Sequence, residues 1–466
     1  IRDQPRSRGL GDVYKRQNGF KQSNGQFFTH INIVKFMLYA MQADKLAIKR
    51  IKEDKEIPYM IDPSAGSGTF LIEYMKFITE NMKYRDRGAT GYNVQLGTAR
   101  AVADKLAEWF GIDNRENRWA YTFIYGSEIN FNLGTATKVN MILHGDGSTN
   151  IFVKDGLLPF TKYEKSSSHN VLHDSHQDPL YQDKQVNERF DLILTNPPFS
   201  VELDNDTKKT VKKGFIFGDK KNSENLFIER WYQLLRENGR LAAVLPESVF
   251  DTSENKYIRL FLYKYFKIKA VVSLPQLAFE PYTSTKTSIL FAQKKTKDEI
   301  EAWNTCWSQA ANDYVLLKTR IENIIAVYDG KKQRSKLTSI KKLTPTQEVE
   351  LLRKMLKGYI TERDDDLGVE ELIDKYRSEL KKLCTIDTDT QTIFGHVNTW
   401  WVFDEVLKAF PYDILMAEVD NIGYKRSKRG EKEMKNELYR DNDGGVIIDD
   451  GVSETVLDEM RKISWD

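Results

Sequence analysis

"FDLILTNPPF", residues 190 to 199, decides the fold. An apolar run of strand type ends in Thr195 and breaks into Asn196-Pro197-Pro198-Phe199. Two consecutive prolines cannot continue a central strand, and the residue ahead of the first is pushed into extended backbone. A buried strand therefore stops at a rigid corner, with an amide on one side and an aromatic ring on the other.

Outward from that corner, strand-like and helix-like segments alternate between Gly25 and about residue 295. "YMI" (59–61) enters a Gly-rich turn and the helical "TFLIEYMKFITENM". "YTFIYGSEI" (121–129) precedes the helical "GTATKVNMILHG", and "NIFVKDG" (150–156) is a third short strand. After the corner come the helical "NLFIERWYQLLREN", expected to stop at Gly239, then "RLAAVLP", "YIRLFLYKYF", "KAVVSLP" and "TSILFAQ". Strands separated by helices make a doubly wound α/β fold with a mostly parallel sheet. The last two strands lack a helix between them, so an antiparallel hairpin is expected at the sheet's edge. Residues 298–409 are charged and amphipathic and read as a helical insertion. Residues 410–466 read as a polar C-terminal segment that docks a partner subunit.

Composition narrows the class. A chain of 466 residues, 40% hydrophobic, has room for a large core, and its net charge of +2 gives no bulk signal for nucleic acid. The only cysteines, Cys306 and Cys384, lie far apart, which fits a reducing, cytoplasmic compartment without disulfides or a cysteine zinc site. No run reaches the roughly 18 apolar residues of a membrane helix. Residues 1–18, "IRDQPRSRGLGDVYKRQN", have no periodicity and are expected to be a non-native tail, adapter read-through on a fragment that lacks its true N-terminus.

Four strand ends carry the chemistry. "DPSAGSGTF" (62–70) leaves a strand and opens a helix, so Gly66, Ser67 and Gly68 let backbone approach a ligand beside free N–H groups. Asp62 at that strand end suits a cationic or zwitterionic ligand better than a pyrophosphate. Glu128 follows the second strand, where an acid accepts from ribose hydroxyls, though some 60 residues after the turn rather than the usual ~20. Asp155, ending the third strand, could accept from an adenine amine. Asn196 ends the fourth, and its side chain and the Pro197 carbonyl could both accept from an exocyclic amine while Phe199 stacks. Such an amine is a weak nucleophile because its lone pair is conjugated into the ring. Two acceptors draw the nitrogen toward tetrahedral geometry and release that pair. Each feature has a plainer reading, as a tight turn, a solvated carboxylate or a proline-rich loop, and the ordered set carries the weight.

In that order the segments resemble the S-adenosylmethionine-dependent N6-adenine DNA methyltransferases, specifically the modification subunit of type I restriction–modification systems. "GQFFT" (25–29), "DPSAGSGTF", "NPPF", "NSENLFIERW", "GRLAAVLPESVF", "TSTKTSILFAQK" and "MAEVDNIGYKR" carry the resemblance, over residues 20–297 and 410–440. It implies a Rossmann-like catalytic domain over residues 19–297, with a C-terminal helical extension beyond it. It also implies a cofactor site of Gln26, Phe27, Phe28, Thr29, Asp62, Pro63, Gly66, Ser67, Gly68, Glu128 and Asp155. A catalytic corner of Asn196, Pro197, Pro198 and Phe199 follows, acting on a flipped adenine with no covalent intermediate and no metal. The adenine preference over cytosine rests on this resemblance alone. The implied partners are double-stranded DNA, a separate specificity subunit, a second modification subunit and a restriction subunit. His30 stands where the family commonly has proline, which leaves that turn open.

Two rival readings use the same corner: a protein-glutamine N5 methyltransferase, and an inactive truncated methyltransferase that only binds partners. His169, His173 and His176 have ligand-like spacing but sit in a Ser-rich loop, which favours solvated side chains over a metal site. Lys212, Lys213, Lys220 and Lys221, and the "KRSKRGEK" run (425–432), are candidates for phosphate or subunit contact.

Overall fold

The computed structural model describes residues 28–111, 117–145, 150–163, 170–199, 201, 203, 205–220, 222–281, 283–427, 430–442 and 445–465. Gln26, Phe27, His169 and Lys221, and the whole N-terminal tail of residues 1–18, lie outside these residues. The chain divides into two compact units, one of residues 1–296 with 413–466 and the other of residues 297–412.

The first unit is built on eight strands: β1 (Met60–Asp62), β2 (Ile124–Ser127), β3 (Ile151–Phe152), β4 (Phe190–Thr195), β5 (Leu235–Pro246), β6 (Phe266–Ser273), β7 (Thr287–Lys294) and β8 (Leu415–Glu418). Their order is β8-β6-β7-β5-β4-β1-β2-β3. β1 pairs in parallel with β2 and β4, β2 with β3, and β4 with β5. Every residue of β1, β2 and β4 is buried, as expected for strands covered on both faces. The strand order reverses between β1 and β4: the chain runs outward from β1 through β2 to β3, then returns to β1's other side with β4 and β5. A crevice opens there, outside the carboxyl ends.

Helices α1 (Ile31–Ala40), α2 (Ala43–Asp54), α3 (Thr69–Thr79), α4 (Arg100–Phe110), α5 (Phe131–Leu143), α6 (Asn205–Gly214), α7 (Ser223–Leu234) and α8 (Lys256–Tyr265) complete the unit. The long interval between the glycine turn and Glu128 is an excursion that includes α4.

Three sequence expectations are corrected. The antiparallel hairpin forms, but β7 is slotted between β5 and β6 and pairs with both, so it is not the edge. The edge is β8, drawn from the polar C-terminal segment set apart above from the catalytic domain, and it runs parallel to β6. Beyond it the tail folds into a hairpin, Ile422–Ser427 against Gly430–Asn436. The third correction concerns Gly239, which does not end a helix: α7 stops at Leu234 and β5 begins at Leu235. Asn238 there takes the left-handed conformation (φ 60°), and a Cβ on Gly239 would stand 3.1 Å from the Phe190 carbonyl oxygen. The glycine serves a tight local bend, where a Cβ would meet the Arg236 carbonyl oxygen at 2.9 Å, as well as the close approach of β5 to β4.

The second unit is helical. Its 32-residue helix α9 (Lys297–Tyr328) buries Trp303, Trp307, Tyr314, Leu317, Ile321 and Ile324, all at helical spacing on one face. Thr344 opens the following helix, Pro345–Met355, with a capping box to Gln347.

Candidate functional site

The four parallel strands β1 to β4 deliver Asp62, Ser127, Phe152 and Thr195 to one edge, and the loops beyond them build the site. After β1 the chain must turn sharply into α3. Gly66 (φ 54°) and Gly68 (φ 84°) adopt backbone that side chains disfavour. A Cβ on Gly68 would come within 2.7 Å of Thr137 Cγ2, whereas one on Gly66 would meet nothing within 4 Å. The turn is packed tightly behind and open in front. α5 holds it from behind, with the Thr137 hydroxyl donating to the Gly66 carbonyl at 2.7 Å and Asn140 to that of Ser67 at 3.3 Å.

Glu128 fastens the same turn from the second strand. One carboxylate oxygen accepts from the Gly66 N–H at 2.9 Å and the other from the Asn130 N–H at 2.8 Å. Asn130 in turn caps α5. Asp155 accepts from the Leu157 N–H at 2.9 Å and from the Thr207 hydroxyl of α6 at 3.2 Å.

Two clefts meet at Ser64, Gly66 and Asn196. One runs past Phe28, Thr29, Ser67 and Leu133, and the other past Glu128, Ile129, Asp155, Pro198 and Phe227. At their junction the Asn196 amide donates through Nδ2 to Thr29 Oγ1 at 3.1 Å. Its Oδ1 is buried and has no hydrogen-bond partner among the described residues. A buried amide oxygen left without a donor is costly, on the order of 1–3 kcal/mol, so this one is a standing acceptor. Ser223, at the start of α7, donates to the Pro198 carbonyl at 3.2 Å and steadies the corner. Phe199 is half-buried and packs against the core.

Asp62 lies behind this surface and is completely buried. Its Oδ1 accepts from Thr195 Oγ1 at 2.7 Å and from the Ser64 N–H at 3.0 Å, and its Oδ2 has no hydrogen-bond partner among the described residues. Ser64 Oγ shares a 2.7 Å bond with Thr195 Oγ1 and lies 3.4 Å from the Asn196 carbonyl. Burial is the main reason the carboxyl resists ionisation, and Glu128 adds repulsion. Hydrogen bonds from Thr195 and Ser64 oppose both, and the balance pushes the pKa up to about 7.

The fold thus favours the protonated form of Asp62. That stabilisation is fully present below about pH 4 and is lost as the pH rises through about 7. Asp62→Asn should therefore flatten the decline of stability across that window, by up to ~4 kcal/mol. Urea unfolding of both proteins at a series of pH values measures the difference, and equal slopes would refute a neutral Asp62.

The sequence was also compared with known proteins. The family model described as N-6 DNA Methylase matches residues 10–364. The chain belongs to that family. The Escherichia coli type I restriction enzyme EcoEI methylase subunit is 32% identical over 108 residues, 23% of this chain and 21% of that protein. The type I restriction enzyme MpnII methylase subunit of Mycoplasma pneumoniae is 23% identical over 84% of this chain and 65% of its own length. These matches span less than two thirds of either relative. Among solved structures, the type I restriction enzyme EcoKI M protein aligns with a TM-score of 0.38 and 18% identity, over 59% of this chain and 46% of that one.

In this family member Phe28, Thr29, Ser67, Pro63, Gly66, Glu128, Asp155, Asn196 and Pro198 all line the two clefts. Pro197 and Gly68 are buried, and Asp62 stands one layer back. Sequence reasoning passed over Ser64, Thr195, Thr207 and Ser223. Small hydroxyls carry little signal by themselves, and here each acts by bonding a residue distant in sequence. His30 resolves the open turn: it caps α1 with φ −68°, the angle proline would impose, and its Nδ1 accepts from the Asn32 N–H at 3.1 Å. His173 bonds the Tyr163 carbonyl and His176 pairs with Glu188, so the two point to separate partners. Lys212 pairs with Asp219 at 3.2 Å and Lys220 lies over the Tyr257 ring.

Proposed function

We propose that this chain transfers a methyl group from S-adenosylmethionine to the N6 amine of an adenine swung out of duplex DNA, as the modification subunit of a type I restriction–modification complex. The observation that carries the reading is Asn196, which lines both clefts and whose buried Oδ1 has no hydrogen-bond partner among the described residues.

The residues fit both ligands. The open face of Gly66, the free N–H groups at the start of α3, and Glu128 and Asp155 would hold the cofactor, which supplies a methyl group on a sulfonium. Asn196 Oδ1 and the Pro197 carbonyl would accept from the two N–H bonds of the target amine. In a site shielded from water, that pull localises the nitrogen lone pair for methyl capture. Phe199 would hold the base by stacking, offsetting part of the few kcal/mol that flipping costs. α6 leaves the cleft through Val201 and Leu203 and exposes Lys208, Lys209, Lys212 and Lys213, a row suited to DNA phosphates.

Sequence readout would belong to a separate specificity subunit, with a second modification subunit and a restriction subunit in the assembly, in the cytoplasm. Among the described residues no helix is long and apolar enough to cross a membrane. The test is mass spectrometry of nucleosides from cells that co-express the full-length protein with its neighbouring specificity subunit. N6-methyladenine is expected. Unmodified DNA from a complex that assembles and binds S-adenosylmethionine would overturn the reading and turn attention to protein amides.

A further inference from the structure

An amide side chain has two ends of opposite chemistry, and half a turn exchanges them. A target amine needs the oxygen end. In Asn196 the nitrogen end is the one already engaged, donating to Thr29 Oγ1 at 3.1 Å, and this fixes the amide plane with Oδ1 as the end that has no partner among the described residues. Thr29 is itself buried.

What fixes Thr29 comes from the far end of the chain. The next residue, His30, stacks on Tyr424 of the C-terminal hairpin with ring centroids 3.7 Å apart. Its Nε2 meets Glu431 Oε1 at 3.3 Å, and Glu431 also takes Arg426 Nε at 2.8 Å. Asn32 donates to the Ile422 carbonyl at 3.2 Å, and the Tyr424 hydroxyl to the Ala278 carbonyl at 2.9 Å. The hairpin therefore grips the residues on the C-terminal side of Thr29.

We propose that Thr29 is a positioning residue for the Asn196 amide, and that the C-terminal hairpin, through its clasp on His30, keeps Thr29 in place. The catalytic consequence rests on the function proposed above, whereas the orientation itself does not. Thr29→Val keeps the volume and loses the hydroxyl, Thr29→Ser keeps the hydroxyl, and Tyr424→Leu loosens the clasp at a distance.

With the specificity subunit present and cofactor saturating, Thr29→Val lowers the single-turnover methylation rate by about tenfold or more, the scale of one lost hydrogen bond. Its cofactor affinity stays within about twofold, Thr29→Ser recovers most of the rate, and Tyr424→Leu falls between. Crystal structures of the same full-length variants supply a second readout. The amide holds one orientation in the wild type and Thr29→Ser, and leaves it in Thr29→Val.

Two results would overturn the proposal: an Asn196 amide unmoved in Thr29→Val, or a loss of cofactor affinity with an unchanged saturated rate, which would mean Thr29 acts on the cofactor instead. A wild-type complex that methylates no DNA would defeat the functional reading alone, and the crystallographic comparison would still decide the role of Thr29.

Discussion

Asn196→Ala is expected to lower single-turnover methylation by about 10²-fold or more while cofactor affinity changes by no more than about threefold. The asymmetry follows from where the side chain stands. Its Oδ1 is buried and has no partner among the described residues, which suits it to accept from an incoming donor. The cofactor's expected contacts, by contrast, come from the glycine turn, Glu128 and Asp155. Substitution by alanine removes the acceptor and leaves Pro197 and Pro198 to keep the corner's backbone. Rapid-quench methylation at saturating cofactor, paired with calorimetric titration of the cofactor, separates the two quantities. An equal loss in both would mean that the corner belongs to the cofactor site rather than to the target amine.

The second large effect is expected at Glu128. Glu128→Ala should weaken S-adenosylmethionine binding by about 10- to 100-fold, and also lower stability by ~1–3 kcal/mol. Its carboxylate accepts from the N–H groups of both Gly66 and Asn130, so it pins the glycine turn to the start of α5 as well as facing the cleft. Glu128→Gln retains one acceptor and should lie between. Calorimetry and urea unfolding read the two effects, and an unaltered affinity in Glu128→Ala would remove Glu128 from the cofactor site.

The parts of this site that were legible in the sequence are those whose residue types are forced by backbone geometry. Gly66 and Gly68 advertise positive φ, and the paired prolines after Asn196 advertise the end of a strand. Glu128 and Asp155 were found because acids at strand ends share one edge of a parallel sheet. What stayed hidden depends on pairings across long separations. The four residues of β8 alternate between half-buried and exposed, but one exposed position holds the apolar Met416, so the run Leu-Met-Ala shows no alternation in the sequence. Gly239 looked like a helix stop because a glycine at a close strand approach and one at a helix end are the same letter. Asp62 could be placed at its strand end, but not one layer behind the cleft, since that depends on Thr195 and Ser64 closing over it.

The sheet edge also has a temporal side. Ala270 to Ser273 of β6 pair with Leu415 to Glu418, and the whole helical unit is encoded between them. A ribosome adding ~5–20 residues per second reaches β8 roughly 7 to 30 seconds after it has made β6. Through that interval β6 presents one open, hydrogen-bonding flank, the kind of surface on which nascent chains pair wrongly. How quickly the inserted helices collapse, and so bring the two ends of that long connection together, therefore bears on the yield of correctly closed sheet. Shortening the insertion while preserving its ends should favour folding over aggregation during synthesis.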